Sequence, residues 1–212
     1  MDKESLLSHW RDKISDNVLK SFSSTPREEF LPHESKPRAY EDTPLPILRN
    51  KTISQPSTVI LMTEALDLKK GHKVLEVGAG SGYQAALIAH LVGNGEVVTT
   101  EVIPELVAFA RENLQRTGTT NVTVLEHDGS QGCEDFAPYD RIIFTAASPH
   151  VPLHLLSQLK ENGIIVAPVG DLNEQHMIKI IKHKDRIEQQ NMGEFVFSPL
   201  VGKYGFDEEN VM

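Results

Sequence analysis

An apolar run that leads into three alternating glycines constrains this chain more than any other segment. Residues 74–83 read VLEVGAGSGY, in which a carboxylate, Glu76, precedes the glycines. The apolar residues predict a buried parallel strand, and the glycines predict a tight turn whose backbone passes close to a ligand. Residues 83–91 predict a helix that follows at once, with its first amides facing that ligand. The segment therefore predicts the opening unit of a nucleotide-type α/β site.

The spacing of the glycines distinguishes between two classes of cofactor. A dinucleotide-binding turn has the pattern GxGxxG, whereas Gly78, Gly80 and Gly82 form GxGxG, and Tyr83 stands where the third glycine would be needed. GxGxG with an acid two residues before it is similar to motif I of the S-adenosylmethionine (SAM) methyltransferases. Glu101 closes the next predicted strand, where an acceptor with two oxygens could hold both ribose hydroxyls. An ordinary glycine turn and a surface acid are the alternatives.

Strand and helix patterns alternate through the middle of the chain. This alternation predicts a doubly wound, mostly parallel sheet that is covered on both faces. Two strands without a helix between them, at 176–183 and about 186–200, predict an antiparallel edge. The fold class is α/β, of the Rossmann-like type of class I SAM-dependent methyltransferases. We expect the other strands at 73–78, 96–101, 122–126, 139–145 and 163–169, and helices at 83–91, 104–116 and 152–161.

The first residues predict a helical extension. Apolar residues recur at every fourth position from Leu6 to Phe22, which predicts one amphipathic helix. Thr25 and Glu28 predict a capping box for a second short helix, with Pro26 at its first position.

A long loop at 33–54 separates this extension from a helix that begins at Pro56 and ends near Leu66. A loop of that length, rich in proline and polar residues, is usually functional or disordered. We expect one domain over 1–212, with N-terminal helices and an active-site loop at 1–55, the SAM-binding core at 56–170 and edge strands at 171–212.

Composition limits the classes of partner. A net charge of −9 argues against nucleic acid, whose binding needs clustered Lys and Arg. The N-terminus has no apolar core of signal-peptide length, and no apolar run is long enough to span a bilayer, so we expect a cytoplasmic protein without membrane contact. The nine histidines show no metal-ligating spacing and Cys133 is the single cysteine, so we expect neither a metal nor a disulfide. We expect a monomer.

Residues that follow the strands, and the residues before Pro56, are the candidates for chemistry. Asp128, with Gly129 after it, could accept a hydrogen bond from an adenine amino group, and a plain Asx turn is the alternative. Glu76 could contribute to the cofactor site, and a carboxylate that is simply satisfied by turn amides is the alternative. Ser54 could be the N-cap of the helix at Pro56, or it could donate its hydroxyl to a substrate carboxylate; the two roles are compatible.

Several motifs together resemble one family. They are PREEFLP, AYEDTPLPI, TISQP, VLEVGAGSGYQAALIAHLVG, NVTVLEHDG, APYDRIIFTAA, QLKENGIIVAPVG and FVFSPL, and they extend from Pro26 to Leu200. The glycine and HDG motifs occur in many methyltransferases, whereas TISQP after PLPI, with the terminal FxPL, is more specific. With these motifs the chain resembles the protein L-isoaspartyl O-methyltransferases.

The resemblance implies a SAM-dependent enzyme that methylates the free carboxylate of isoaspartyl residues in damaged peptides and proteins. The ester would then cyclise spontaneously to a succinimide, which begins repair. The resemblance places the active-site serine at Ser54, the ribose contact at Glu101 and the adenine contacts at Asp128 and Gly129. The complete set of expected cofactor-binding residues is Glu76, Gly78, Ala79, Gly80, Ser81, Gly82, Glu101, Asp128 and Gly129, and the expected substrate-binding set is Thr52, Ile53, Ser54, Phe197 and Pro199.

The chain departs from this family in one place. Between PLPI and TIS the family usually has glycines and a glutamine, whereas this chain has LRNK at 48–51. The departure concerns the conformation of the active-site loop and substrate affinity rather than the identity of the cofactor.

The expected reaction needs no general base, because a side-chain carboxyl with a pKa of about 4 is already ionised at neutral pH. Proximity and orientation in a water-poor pocket would supply most of the acceleration. We expect a peptide groove with one wall at 193–201, read as an edge strand with free main-chain groups, and the other at 44–54.

Two alternatives stay open: a SAM methyltransferase that acts on a small molecule or nucleic acid, and a SAM-binding module without turnover. The segment FTAASPHVP, after the fourth strand of the core, has neither the NPPY-like motif of DNA amino-methyltransferases nor the acids of metal-dependent enzymes.

Overall fold

The computed structural model describes residues 2–207 of the chain. Its strands form a small two-stranded sheet and a seven-stranded sheet. In chain order the strands are β1 (Leu45–Pro46), β2 (Thr52–Ile53), β3 (Lys73–Val77), β4 (Glu96–Glu101), β5 (Val122–Glu126), β6 (Tyr139–Phe144), β7 (Leu159–Gly170), β8 (Gln175–Lys182) and β9 (Ile187–Phe195).

The large sheet confirms the predicted fold class. Its strand order is β5-β4-β3-β6-β7-β8-β9. Neighbours from β5 to β7 run parallel, and β8 and β9 add an antiparallel edge. Chain order reverses on either side of β3, which pairs with both β4 and β6. In sheets of this kind, ligands bind outside the carboxyl ends of the strands at such a reversal.

Three core helices begin where the sequence predicts. Pro56 and Pro104 each occupy the first turn of a helix, where proline's missing N–H costs no hydrogen bond. Tyr83 follows Gly82, whose left-handed conformation lets the chain turn from the glycine segment into the helix. The helices are α1 (Lys3–Trp10), α2 (Asp16–Ser24), α3 (Pro56–Ala65), α4 (Tyr83–Val92), α5 (Pro104–Arg116) and α6 (Leu155–Gln158), and short 3-10 turns lie at Arg27–Phe30, His33–Arg38, Leu48–Asn50, Gly129–Gln131 and Glu134–Phe136.

The prediction of one helix across residues 6–22 is wrong, because the structure has α1 and α2 with a break between them. Ser15 stands before α2, and its amide and hydroxyl both donate to the Glu64 carboxylate, at 3.1 and 2.7 Å. These bonds replace the helical bonds that a continuous helix would need. The four-residue repeat still predicts burial, since Leu6, Val18 and Phe22 lie in the core.

The predicted capping box at residues 25–28 is also wrong. Pro26 precedes the 3-10 turn Arg27–Phe30, and no side chain caps that turn. The Thr25 hydroxyl instead donates to the Ser21 carbonyl at 2.9 Å, which closes the end of α2. A four-residue turn leaves too little helix for the reciprocal bonds of a capping box.

The predicted helix at 152–161 shrinks to the four residues of α6, and β7 begins at Leu159 rather than at 163. Tyr139 pairs with Leu159, but Arg141 pairs with Ile164, so β7 carries extra residues at this point. Gly163 lies in this bulge rather than at a helix end, and a β-carbon there would meet the Leu159 side chain at 2.5 Å. The bulge lets Leu159 stay in the core while the strand continues.

The N-terminal extension packs on the core through α2 and α4. The buried Ser21 hydroxyl donates to the Leu87 carbonyl of α4 at 2.9 Å, and Phe22 and Leu87 belong to the same apolar cluster. The division of the chain at 55 and 170 stays a prediction; Met1 and residues 208–212 of it lie outside the described part. In that part no helix is long and apolar enough to cross a membrane.

Candidate active site

A cavity of about 1130 Å³ opens at the carboxyl ends of the central strands. Its floor is the turn after β3, and its sides come from the ends of β4 and β6, the segment before α3 and the residues after β9. The cavity therefore lies where chain order reverses in the sheet, as the fold class predicts.

The glycine turn is held in place by the neighbouring strands. The amides of Gly78 and Ala79 both donate to the Thr100 carbonyl at 2.9 Å, at the end of β4. Gly78 has φ +102°, and a β-carbon there would lie 2.5 Å from the Thr145 hydroxyl oxygen after β6. That hydroxyl donates to the Gly78 carbonyl, so it cannot move away without loss of the bond. Only glycine fits this position, which exposes backbone to the cavity.

The other residues of the turn divide between the cavity and the core. Ala79, Gly80 and Ser81 line the cavity together with Gly78, as expected for cofactor-binding residues. Gly82 does not line it. A β-carbon on Gly82 would meet the Ala110 carbonyl of α5 at 3.3 Å. The third glycine therefore lets α4 and α5 approach each other.

Glu101 is fixed at the end of β4 by backbone amides. One carboxylate oxygen accepts from the Gly80 amide at 3.0 Å, and the other accepts from the Val102 and Ile103 amides at 3.0 and 3.2 Å. The side chain lines the cavity and is 9% exposed. Because a carboxylate has about four lone-pair positions, the three amide bonds leave capacity to accept from a ligand hydroxyl.

Glu76 lies beneath the turn and is fully buried. The Thr99 hydroxyl donates to one of its oxygens at 2.5 Å, whereas the other oxygen has no partner among residues 2–207. Burial raises the pKa of Glu76 to about 8, and the nearby Glu101 carboxylate adds to the increase. The alternative that turn amides satisfy Glu76 does not hold for the described residues, and Glu76 is one of the residues that line the cavity.

Asp128 and Gly129 are adjacent in sequence but differ in whether they line the cavity. Gly129 lines the cavity, and a β-carbon there would lie 2.1 Å from the Thr100 hydroxyl oxygen. The Asp128 carboxylate does not line it. It accepts from the Ser130 amide at 3.0 Å, which is the Asx turn of the alternative, and from the Lys203 amide at 2.8 Å, which is a long-range contact. An adenine contact for Asp128 stays a prediction.

The segment before α3 brings Ser54 to the cavity. β1 and β2 pair antiparallel, so that Leu45 faces Ile53, and Thr52, Ile53 and Ser54 all line the cavity. The N-cap residue of α3 is Gln55, which makes no side-chain cap bond, so the interpretation of Ser54 as the helix cap is wrong.

Asp42, in the preceding loop, satisfies the first turn of α3 instead. Its two oxygens accept from the amide and the hydroxyl of Ser57 at 2.9 and 2.6 Å. The Ser54 hydroxyl has no hydrogen-bond partner in the described part of the chain, and Asp42 bonds Ser57 rather than Ser54. It is therefore available to a ligand. The sequence analysis does not predict the role of Asp42. The one signal for it is the second acid of AYEDTP, which is Asp42 itself.

The 48–51 segment forms a short 3-10 turn over the cavity. Arg49 and Asn50 have φ of 57° and 54°, in the left-handed region that favours glycine. The glycines that the related family carries in this loop would take this conformation without strain. Arg49 and Lys51 line the cavity, and the Arg49 guanidinium lies 3.7 Å from the Glu105 carboxylate at the start of α5.

The C-terminal wall differs from the prediction. β9 ends at Phe195, and the following residues return to the end of β6. The Ala147 amide donates to the Ser198 carbonyl at 2.8 Å, and the Leu200 amide donates to the Ala147 carbonyl at 2.7 Å. The Phe197 amide donates to the Gln175 side chain at 2.8 Å. The prediction of free main-chain groups along 193–201 is therefore wrong for these residues, although Phe197 and Pro199 line the cavity.

Comparison with known proteins identifies the family. A sequence model of the protein-L-isoaspartate(D-aspartate) O-methyltransferase family matches residues 1–205. The chain belongs to this family. The family assignment confirms the predicted SAM-dependent methyltransferase and its cofactor.

Two relatives show how much of the chain the likeness covers. The protein-L-isoaspartate O-methyltransferase of Hyperthermus butylicus is 50% identical over 204 residues, which are 92% of this chain and 85% of that protein. The enzyme of the same name from Methanothrix thermoacetophila is 46% identical over 209 residues, covering 98% and 99% of the two chains.

Solved structures agree with this assignment. A protein-L-isoaspartate O-methyltransferase structure superposes with a TM-score of 0.87 at 33% identity, over 96% of this chain and 67% of that one. A Plasmodium falciparum protein in complex with S-adenosyl-L-homocysteine superposes with a TM-score of 0.80 at 24% identity, over 93% and 97%. At 24% identity, the second structure supports the fold alone.

Proposed function

We propose that the cavity is the site where this protein-L-isoaspartate O-methyltransferase methylates isoaspartyl residues of damaged proteins, with Ser54 holding the substrate carboxylate. One observation carries this assignment: the Ser54 hydroxyl, which has no hydrogen-bond partner within residues 2–207, shares the cavity with the GxGxG turn and Glu101. The methyl ester would close to a succinimide without further help from the enzyme.

The residues on the cofactor side fit SAM. At Gly78 and Gly129 a β-carbon would clash with the Thr145 and Thr100 hydroxyls, so glycine alone brings the backbone to the cavity wall there. Glu101 can accept from ribose hydroxyls. Glu76, whose raised pKa keeps it protonated near neutral pH, would offer a neutral carboxyl group to the cofactor. When bound, SAM supplies a methyl group on a positively charged sulfur. Ala79, Gly80 and Ser81 complete this side, with Gly82 supporting the turn. An adenine contact at Asp128, beside Gly129, is part of the same proposal.

The residues on the substrate side would orient an anion. An isoaspartyl carboxylate is ionised at neutral pH, so it needs a donor to hold it in line and no base to deprotonate it. Ser54 would supply that donor, while Thr52, Ile53, Phe197 and Pro199 would bound the groove around it. A peptide that filled the groove would displace water from the reacting oxygen, which would strengthen the attraction between anion and sulfonium.

The remaining expectations belong to the same proposal. We propose that the enzyme acts as a monomer in the cytoplasm and without membrane contact. A net charge of −9 argues against nucleic acid as a partner. A sedimentation experiment tests the oligomeric state directly.

Transfer of labelled methyl from SAM to an isoaspartyl peptide, beside its normal aspartyl twin, tests the function. We expect strong labelling of the isoaspartyl peptide and almost none of the twin, because only the isoaspartyl backbone places its carboxylate at Ser54. Equal labelling of both peptides would favour a small-molecule carboxyl methyltransferase. Binding of SAM without labelling of either would favour a module without turnover.

A further inference from the structure

Charged side chains of opposite sign line the two ends of the cavity. Arg49 and Lys51, from the loop before β2, lie at one end. Glu174, before β8, and Glu194, in β9, line the other. The substrate-facing side of the cavity is therefore basic at one end and acidic at the other.

The sheet order separates these two ends. The 48–51 loop packs on α5, which follows β4, and Arg49 lies 3.7 Å from Glu105 there. Glu174 precedes β8, four strand intervals from β4, and Glu194 lies in β9, five intervals away. With strands about 4.8 Å apart, four to five intervals correspond to roughly 19 to 24 Å. An extended peptide covers that distance in about six or seven residues. The two ends would thus face side chains about two or three residues on either side of a central isoaspartyl residue.

These charges are available to a ligand. In residues 2–207, neither the Lys51 ammonium nor the Glu194 carboxylate takes part in an ion pair. The Arg49–Glu105 pair is long, and its side chains are 61% and 54% exposed. Glu174 has only His176 beside it, at 3.6 Å. Exposed pairs of this kind contribute little, so a charged peptide can compete with them.

We infer that Lys51 and Glu194, supported by Arg49 and Glu174, select substrates by the order of charges around the isoaspartyl residue. This inference rests on the proposed function and adds a substrate preference to it. Peptides with acidic side chains toward Lys51 and basic side chains toward Glu194 are the favoured class. If these residues were only solvated surface charges, charge order would have no effect.

Two peptides of the same composition and net charge test the inference. One carries two Glu before and two Lys after the isoaspartyl residue, and the other carries them in reverse order. Because each exposed pair contributes roughly 0.2 to 1 kcal/mol, we expect kcat/KM to differ about three- to tenfold between them at low salt. The difference should fall in 0.5 M NaCl, where the Debye length is only about 4 Å.

A charge exchange inside the cavity provides the decisive comparison. Lys51→Glu combined with Glu194→Lys keeps the net charge and should invert the preference. The matched control is Lys184→Glu with Glu161→Lys, at exposed positions that do not line the cavity, and it should keep the wild-type preference. SAM affinity, measured by calorimetry, should stay unchanged in both variants.

The outcomes separate the two proposals. Equal kcat/KM for the two peptides in the wild type, or an unchanged preference in the folded exchange variant, overturns the charge selection and leaves the proposed function intact. Failure to methylate either peptide, with SAM bound, overturns the proposed function and with it this inference.

Discussion

The two sides of the cavity are built in different ways. On the cofactor side, the turn after β3 is fixed by the next strand along the chain, through bonds from Gly78 and Ala79 to Thr100 and from Gly80 to Glu101. On the substrate side, a loop and the C-terminal wall are joined to the rest of the domain by a few contacts. Asp42 accepts from Ser57, and Ala147 pairs with residues 198–200.

This difference implies different responses to substitution. A change on the cofactor side disturbs a rigid backbone that also forms the centre of the sheet, so stability and cofactor binding should fall together. On the substrate side, the residues that hold the wall differ from those that face the substrate. A substitution there can therefore remove a ligand contact without loss of stability, or lower stability without loss of a ligand contact.

Gly78→Ala should have the largest effect. A β-carbon would meet the Thr145 hydroxyl at 2.5 Å, and φ of +102° is strained for alanine. We expect the free energy of unfolding to fall by about 2 to 4 kcal/mol, from overpacking and backbone strain, and SAM binding to be lost. Urea unfolding and calorimetric titration measure the two effects.

Gly118→Ala is the matched control for this prediction. Gly118 also has a positive φ, +69°, but a β-carbon there would have open space around it. We expect a cost of only about 1 kcal/mol and normal SAM affinity. Equal destabilisation by the two substitutions would show that Thr145 does not constrain the turn.

Ser54→Ala and Ser57→Ala should separate ligand contact from wall support. Ser54 makes no side-chain bond within the described residues, so Ser54→Ala should leave the melting temperature close to normal. If the hydroxyl holds the substrate carboxylate, methyl transfer should fall about ten- to a thousandfold. Ser57→Ala removes the 2.6 Å bond to Asp42 and should cost about 1 kcal/mol of stability. Near-normal turnover by Ser54→Ala would remove Ser54 from the reaction.

The same contrast explains which parts of the molecule could be predicted from sequence. The β3 strand, glycine turn and α4 depend on adjacent residues, and the apolar pattern with GxGxG predicts them closely. The bulge at Gly163 could not be predicted, because it depends on the pairing of Tyr139 with Leu159 across the sheet. A glycine after an asparagine marks a helix end and a bulge equally well.

Long-range contacts also limited the prediction of the site. Ser54 precedes a helix, so sequence reasoning allowed it to be a cap, but Asp42 satisfies that helix from 15 residues before Ser57. The residues at 197–200 read as an edge strand, but their partner is the end of β6. Both errors concern hydrogen bonds whose partner cannot be identified from the local pattern.

Glu101→Ala should weaken the cofactor side in a graded way. We expect SAM affinity to fall about ten- to a hundredfold, which corresponds to the loss of a charge-assisted pair of hydrogen bonds of about 1.5 to 3 kcal/mol. Turnover at saturating SAM should change less, because the ribose lies away from the reacting methyl. Glu101→Gln keeps one acceptor oxygen, so its SAM affinity should lie between those of the wild type and of Glu101→Ala. Unchanged SAM affinity in folded Glu101→Ala would exclude Glu101 from the cofactor site.

A last prediction is a pH dependence of stability that comes from Glu76. Burial raises its pKa to about 8 in the folded protein, whereas an unfolded glutamate titrates near 4.5. Between these values the folded state keeps a proton that the unfolded state has released, so the free energy of unfolding should fall as pH rises. The linkage relation gives a slope of about 1.4 kcal/mol per pH unit for one proton.

Glu76→Gln tests this origin, because glutamine keeps an acceptor for the Thr99 hydroxyl but binds no proton in this range. The free energy of unfolding of the ligand-free proteins, measured with urea at pH 5, 6, 7 and 8, should show this slope in the wild type. In the variant the slope should be smaller by the amount that one proton contributes. Below about pH 4.5 glutamate is protonated in both states, so its contribution there is constant. The same slope in both proteins would mean that Glu76 is ionised when folded. The cofactor side would then hold a buried charge with one oxygen unpartnered among the described residues.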